Sequence, residues 1–151
     1  MKTTSGTITK MEYNISKQIV LYIETGNIEA ILNNLCYIDN NEIKINYVYF
    51  KYFAHIETYD YILNAISNNI DKLLLTNPTF SVHVNMQTIN ISDVNKHKDF
   101  IKYISDYLKN KYPNKLNICH IYNAPFIFSQ LYNLISVFID KETQQKIKVV
   151  S

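Results

Sequence analysis

The stretch that most constrains the fold is residues 111–148, which hold two of the chain's three prolines. A Tyr-Pro pair is followed by an apolar run at 116–122, by an Asn-Ala-Pro turn, and by a helical pattern that begins near Phe126. Proline restricts φ to about −65° and cannot donate a ladder hydrogen bond, so Pro113 suits the end of one helix and Pro125 the first turn of another. The stretch therefore predicts a strand that leads directly into a helix.

The helix predicted after Pro125 carries a large apolar face. Its apolar residues recur at spacings of three and four, which places them on one side of a helix. They are Phe128, Leu131, Tyr132, Ile135, Phe138 and Ile139. Such a face requires a partner surface, so we expect this helix to pack against a sheet or to line a cavity.

Length and composition indicate a single folded domain over residues 1–151. Hydrophobic residues make up 47% of the chain and charged residues 19%, which is typical of a folded protein rather than a disordered one. The formal net charge is only +2, and the sequence contains no arginine. Both facts argue against a nucleic-acid partner, because phosphate and base recognition rely heavily on positive charge and on guanidinium groups.

The two cysteines, Cys36 and Cys119, are too few and too far apart for a disulfide framework or a zinc site, so we expect reduced thiols. No run approaches the roughly 18 apolar residues of a membrane span, and the first residues lack the apolar core of a signal peptide. The sequence therefore predicts a cytoplasmic protein whose contact with membranes, if it has any, is peripheral.

The rest of the chain alternates between strand and helix patterns. The aromatic residues of 42–53 occupy both odd- and even-numbered positions, which would point to both faces of a strand. This favours a strand covered on both faces. Residues 15–23 are apolar-rich and fit either a helix or a strand. The other predicted elements are a helix from 28 capped by Asn27, a helix at 57–76, a strand at 80–86, a helix at 96–111 capped by Ser92 or Asp93, and a last strand at 147–150. This order predicts an α/β fold with a mixed, mainly parallel sheet and helices on both faces.

No pattern in the sequence indicates catalysis. The two glycines, Gly6 and Gly26, do not follow a convincing strand, so there is no phosphate-binding loop. The histidines are not spaced as metal ligands, and Cys119 and His120 are strand neighbours that point to opposite faces. We therefore expect no catalytic residue, no metal and no cofactor, and a protein that is not an enzyme. The aromatic interior suits an apolar cavity.

Several separated motifs resemble those of the CRAL-TRIO lipid-binding domain family, in its phosphatidylinositol transfer protein branch. They are Tyr-Pro-Asn-Lys-Leu at 112–116, Asn-Ala-Pro-Phe-Ile-Phe-Ser at 123–129 and Ile-Asp-Lys-Glu-Thr-Gln-Gln-Lys-Ile at 139–147. Upstream, residues 84–92 resemble the family's Asp-Leu-x-Gly-Ile-Ser strand end, with Thr88 at the glycine position. The resemblance is best over residues 80–150 and poor over residues 1–40.

The resemblance implies that the domain binds a lipid or another small apolar ligand, of the phosphoinositide type, for transfer or for presentation at a membrane. The family's headgroup site corresponds to Lys146 and to Asn114, which replaces an acidic residue. Hydroxyls that contact phosphocholine in some relatives correspond to Phe80 and Val82. The expected apolar pocket comprises Phe80, Val82, Phe126, Phe128, Tyr132, Ile135 and Phe138.

The sequence also departs from the family. Relatives carry a helical N-terminal lobe, and after the last strand they continue into a gate helix and a further strand, whereas this sequence ends at Ser151. The pocket is then open, filled by side chains, or closed by a second subunit. This leaves an alternative function, a ligand-free protein–protein interaction module that self-associates as a homodimer. A third alternative is a regulatory domain of the anti-sigma-factor antagonist type, with Ser92 as its phosphoacceptor.

Overall fold

A computed structural model describes residues 9–150, so Gly6 and Ser151 lie outside the described residues. The helices are α1 Lys10–Glu24, α2 Ile28–Leu35, α3 Tyr47–Phe53, α4 Tyr59–Leu74, α5 Ile91–Lys111, α6 Phe128–Ile135 and α7 Lys141–Gln145, with a 3₁₀ turn, Ser136–Phe138, between the last two. The strands are β1 Cys36–Asp39, β2 Glu42–Asn46, β3 Phe80–Asn85, β4 Leu116–Tyr122 and β5 Ile147–Val149.

The strands form one sheet in the order β1-β2-β3-β4-β5. Strand β1 runs antiparallel to β2, and the three remaining pairs are parallel. Helices connect the parallel strands because such strands need a crossover. The predicted α/β class with a mixed, mainly parallel sheet is confirmed.

The β1–β2 hairpin is an element that the sequence patterns did not predict. Asn40 and Asn41 form its two-residue turn, with φ values of 53° and 64°. Asparagine tolerates positive φ, and a pair of such residues matches the twist of a tight hairpin. The ambiguous residues 15–23 lie within helix α1, which Thr9 caps by accepting a hydrogen bond from Glu12 N at 3.0 Å.

The expected strand at 42–53 is wrong beyond Asn46, because Tyr47–Phe53 is helix α3. Aromatic and β-branched residues favour strands only weakly, and burial can override that preference. Tyr47, Val48, Tyr49 and Phe53 are all buried in the helix. Aromatic residues occur at both odd- and even-numbered positions because a short strand is followed by a helix.

Helix α5 begins earlier than the predicted 96–111, and its cap is Asn90. The Asn90 side chain accepts a hydrogen bond from Asp93 N at 3.0 Å, and the Asp93 carboxylate accepts one from Asn90 N at 3.2 Å. This reciprocal pair is a capping box. Asp93 thus closes the box from inside the helix, and Ser92, the other expected cap, lies in the first turn.

A buried ionic network fixes the start of α5. Lys51 Nζ lies 2.9 Å from Glu12 Oε2, and Glu12 is only 3% exposed. Tyr52 Oη also donates to Glu12 Oε2, at 2.6 Å, while Lys51 Nζ donates to the carbonyl oxygen of Thr88 at 2.8 Å. A buried carboxylate requires this degree of compensation. The network ties α1 and α3 to the connection that precedes α5.

The two faces of the sheet differ in character. Val82, Cys119 and Ile147 share the first face with the buried Ile43, and this face packs against the helices in two apolar cores. On the second face the register places Lys44, His83, His120 and Lys148 in one row across four strands. Within residues 9–150, none of these four belongs to either core.

Candidate functional site: a cleft between the sheet and helix α5

A cleft of about 970 Å³ lies between the first face of the sheet and helix α5. Its floor is the sheet, one wall is formed by α4 and α5, and the opposite wall is the segment from Val137 to Ile147. Apolar side chains line most of it: Ile43, Ile45, Ile66, Ile70, Phe80, Val82, Val84, Ile104, Leu108, Leu116, Val137, Phe138, Ile139 and Ile147. The size and lining are typical of a small-molecule site.

The position of helix α5 explains why the cleft stays open. The helix packs against α4, α6 and the 3₁₀ turn. Its apolar residues Ile104 and Leu108 are only half buried, although they face the interior and line the cleft. Val82 and Val84 on β3 are half buried as well. Core residues normally shield one another from solvent, so facing apolar surfaces that remain accessible indicate space for a ligand.

Charged residues form the rim of the cleft, and two of its three lysines have partners. Lys102 Nζ lies 3.0 Å from Asp106 Oδ2 within α5. Lys109 Nζ lies 3.9 Å from Asp140 Oδ2, on the opposite wall. The third, Lys146, is half buried and has no ion-pair partner among residues 9–150. A half-buried cation beside an apolar cleft favours an anionic group on the ligand.

The wall opposite α5 is held by its own hydrogen bonds. Asp140 caps α7 by accepting from Thr143 N at 3.3 Å, and the hydrogen bonds from Thr143 lower the pKa of Asp140. Gln144 Nε2 donates to the carbonyl oxygens of Ser136 and Ile139 at 2.9 and 2.6 Å. These bonds join the 3₁₀ turn to α7, and Lys146 follows directly after α7.

The cysteine in the cleft does not have the character of a nucleophile. Burial raises the pKa of Cys119 to about 11, so its thiol stays protonated near neutral pH. His120 pairs in register with His83 and Lys148 on the second face. Within residues 9–150, no group of three or more His, Cys, Asp or Glu side chains is arranged to hold a metal ion.

The structure brings five of the nine expected site residues together. Both expected headgroup residues, Asn114 and Lys146, line the cleft, as do Phe80, Val82 and Phe138. The other four lie elsewhere, because α6 begins at Phe128 and turns its apolar side into the second core. Phe128, Tyr132 and Ile135 pack in that core, and Phe126 precedes the helix with 96% of its surface exposed.

Helices α4 and α5 contribute lining residues that the expected pocket omitted. Ile66 and Ile70 come from α4, and Ile104 and Leu108 from α5. All four belong to helical apolar stripes that are recognisable in the sequence. A stripe shows which side of a helix faces inward, but not whether the space opposite is filled. Only the tertiary structure distinguishes a cleft from a packed core here.

Comparison with known proteins identifies the family. The model of the CRAL/TRIO domain matches residues 4–151, almost the whole chain. The chain belongs to the CRAL/TRIO domain family. This membership supports lipid binding and transfer as the general character of the family.

Two Sec14 proteins are similar to this CRAL/TRIO domain. The SEC14 cytosolic factor of Yarrowia lipolytica is 30% identical over 87 residues, which cover 58% of this chain and 17% of that protein. The Sec14 cytosolic factor of Schizosaccharomyces pombe is 27% identical over 67 residues, covering 44% and 23%. The similarity thus spans less than a quarter of the length of either relative.

The crystal structure of Sfh5 shares the fold. It superposes with a TM-score of 0.65 at 18% identity, covering 78% of this chain and 47% of Sfh5. Among the residues described here, 9–150, no helix combines the length and the apolar character needed to cross a bilayer.

Proposed function

We propose that this CRAL/TRIO domain binds a lipid or another long apolar ligand in the cleft, for transfer or for presentation at a membrane, and that it does not act as an enzyme. The observation that carries the proposal is the cleft itself, in which Ile104 and Leu108 of α5 and Val82 and Val84 of the sheet are only partly buried. Membership of a lipid-binding family supports the same function.

The energetics favour a long ligand over a small one. Each methylene group moved from water into the cleft contributes about 0.8 kcal/mol. Association costs an estimated 4–15 kcal/mol in lost freedom, which about five to nineteen methylenes would offset. A short apolar molecule therefore binds weakly, whereas an acyl chain has enough surface to remain bound.

Lys146 and Asn114 are the residues that we assign to the polar end of the ligand. Lys146 has no ion-pair partner within residues 9–150, and its cation suits a carboxylate or phosphate. Asn114 is exposed at the rim, and its amide both donates and accepts hydrogen bonds, so it can bind the hydroxyls of a phosphoinositide-type headgroup. The two residues together support an anionic headgroup at this end of the cleft.

Three exposed apolar residues, one of which lines the cleft, support contact with a membrane surface. Val137 lines the cleft and is 77% exposed, Phe126 is 96% exposed, and Leu134 between them is 46% exposed. Exposed large apolar side chains are suited to the interfacial layer of a bilayer. We propose that this edge rests on the membrane while the ligand enters or leaves.

Native mass spectrometry of protein purified without detergent tests the proposal. We expect a co-purifying ligand of lipid mass, recovered by organic extraction, and uptake of a fluorescent fatty acid by protein that has been stripped of it. Protein that is consistently empty and takes up no labelled lipid would show that the cleft is not a lipid site.

The same exposed residues favour a second candidate function, a self-associating interaction module without a ligand. Phe126, Leu134 and Val137 would then form the contact between two copies of the chain. Sedimentation velocity distinguishes the two. A dimer that Phe126→Ser disrupts would favour self-association, and a monomer across the accessible concentrations would exclude it.

A further inference from the structure

The volume of the cleft limits how much ligand it can hold. A methylene group fills roughly the 30 Å³ that a water molecule occupies in the liquid, so an acyl chain of about 16 carbons needs about 500 Å³ and two such chains about 1,000 Å³. The whole cleft measures about 970 Å³. Two long chains alone would take up essentially the whole of it and would leave no room for a glycerol or headgroup.

Only part of that volume is suited to an acyl chain. The rim portion is lined by charged and amide side chains, among them Lys102, Asp106, Asn110 and Lys146. A methylene placed against an ion pair such as Lys102–Asp106 gains little, because the charges keep their water. The apolar part is therefore smaller than the whole and fits one long chain with its polar end at the rim.

The charges at the rim indicate the sign of that polar end. Lys102 and Lys109 are paired with Asp106 and Asp140, so among the described residues that line the cleft Lys146 is the lysine available to a ligand. Glu142, the remaining acidic residue of the lining, is exposed in the first turn of α7. An anion at Lys146 is thus compatible with its surroundings.

We propose that the ligand of this cleft is a single-chain anionic amphiphile, with one long acyl chain against β3 and α5 and its carboxylate or phosphate at Lys146. This inference rests on the proposed lipid-binding function and narrows it to one class. The quantity that limits binding is the total apolar volume of the ligand, which must fit into the space between α5 and the sheet.

The test uses the full chain and three probes that share one phosphate headgroup: lysophosphatidic acid with one oleoyl chain, dioleoyl phosphatidic acid, and dioctanoyl phosphatidic acid. The last has two chains but about the apolar volume of one long chain. Oleic acid is a fourth probe and distinguishes a carboxylate from a phosphate. Stripped protein is incubated with each probe and with equimolar mixtures, and the bound species are counted by native mass spectrometry.

We expect oleoyl lysophosphatidic acid and dioctanoyl phosphatidic acid to bind. Dioleoyl phosphatidic acid should bind at least about ten-fold more weakly, because its second chain stays partly in water. Equal occupancy by dioleoyl phosphatidic acid would overturn the single-chain inference and leave the lipid-binding function intact. Failure of all four probes to bind would instead contradict the proposed function.

Discussion

Lys109 Nζ lies 3.9 Å from Asp140 Oδ2, and this contact joins helix α5 to the cap of α7 across the rim of the cleft. Both side chains are partly exposed, at 60% and 30%, so the pair contributes at most about 0.5 kcal/mol to folding. Its position matters more for ligand exchange, because the pair links the two walls between which a ligand must pass.

Removing that link should change ligand exchange more than stability. Lys109→Ala should speed the release of a bound fluorescent fatty acid by about two-fold, since about 0.5 kcal/mol corresponds to roughly that factor, and high salt should do the same to the unaltered protein. Stopped-flow displacement measures the rate. Lys102→Ala is the matched control, because its partner Asp106 lies on the same helix. Equal acceleration by both variants would refute a role for the bridge.

The headgroup assignment predicts a difference between two lysines that are neighbours in sequence. Lys146→Gln should weaken the binding of oleic acid by at least about ten-fold, because a charge-assisted contact contributes about 1.5–3 kcal/mol. Lys148→Gln should have little effect, because Lys148 is exposed and belongs to the second face of the sheet. Isothermal titration calorimetry measures both, with oleyl alcohol as a neutral ligand that neither change should affect. A similar loss for the two variants would indicate a diffuse electrostatic effect instead.

Thr88 is strained, and its replacement should stabilise the fold. Its φ is 78°, and its buried hydroxyl has no hydrogen-bond partner in the part of the chain that the structure describes. A β-branched residue at positive φ costs about 1–3 kcal/mol. Replacement by glycine relieves this strain, but glycine loses more conformational entropy on folding, which offsets roughly 0.5–1 kcal/mol of the gain. Thr88→Gly should therefore raise the free energy of unfolding by about 1 kcal/mol.

Urea denaturation at equilibrium measures that change. Asn40→Gly is the control, because Asn40 also has a positive φ of 53° but asparagine tolerates it, so a smaller gain is expected. The carbonyl oxygen of Thr88 keeps its bond from Lys51 in the glycine variant. A loss of stability in Thr88→Gly would show that the methyl group contributes more packing than the strain costs.

His97 should make the fold less stable in mildly acidic solution. It is 2% exposed, and its Nδ1 lies 2.7 Å from Tyr59 Oη. Burial, aided by the charge of Lys96 and opposed by Asp93, lowers the pKa of His97 below its usual 6.5. The unfolded chain then takes up a proton that the folded protein resists, so stability falls as pH drops below about 6.5 and levels off below the folded-state pKa.

Chemical denaturation between about pH 7.5 and pH 5 measures the effect, since the histidine contribution lies in this window. His97→Gln should flatten the pH dependence. His55→Gln should not, because the His55 side chain is 50% exposed. An unchanged slope in His97→Gln would assign the pH dependence to other groups.

Local signals in the sequence are sufficient for most of the parallel sheet and for α4 and α5. Strands β3 and β4 lie where alternation and the proline breaks predict them, and Asn27 caps α2 as expected, accepting from Ala30 N at 3.3 Å. These elements have strong periodic patterns and clear end signals. The motifs at 112–129 also indicate the correct family, because their residue types and spacing are specific to it.

The elements that local patterns miss depend on tertiary contacts. Helix α3 consists of residues that favour strands, and it is helical because its aromatic side chains are buried and Lys51 reaches Glu12. Strand β1 has only four residues, too few for a periodic signal, although the Asn-Asn pair at 40–41 could have indicated a hairpin.

The cleft itself could be predicted only in part. The two headgroup residues come from motif positions, whereas the apolar residues depend on how α6 is oriented. Phe128, Tyr132 and Ile135 have the right spacing for a pocket face, but they fill the second core. Spacing specifies a face of the helix, and the packing of that face is decided by elements far away in the sequence.

The most direct measurement locates the ligand with a single tryptophan. The chain has no tryptophan, so Phe138→Trp places one reporter in the cleft wall, and Phe126→Trp places one on the exposed surface outside the cleft. Each variant is titrated with monomeric dibromostearic acid, whose bromines quench tryptophan fluorescence on contact. The account predicts strong, saturable quenching in Phe138→Trp and little in Phe126→Trp. Saturable quenching in Phe126→Trp with none in Phe138→Trp would contradict it.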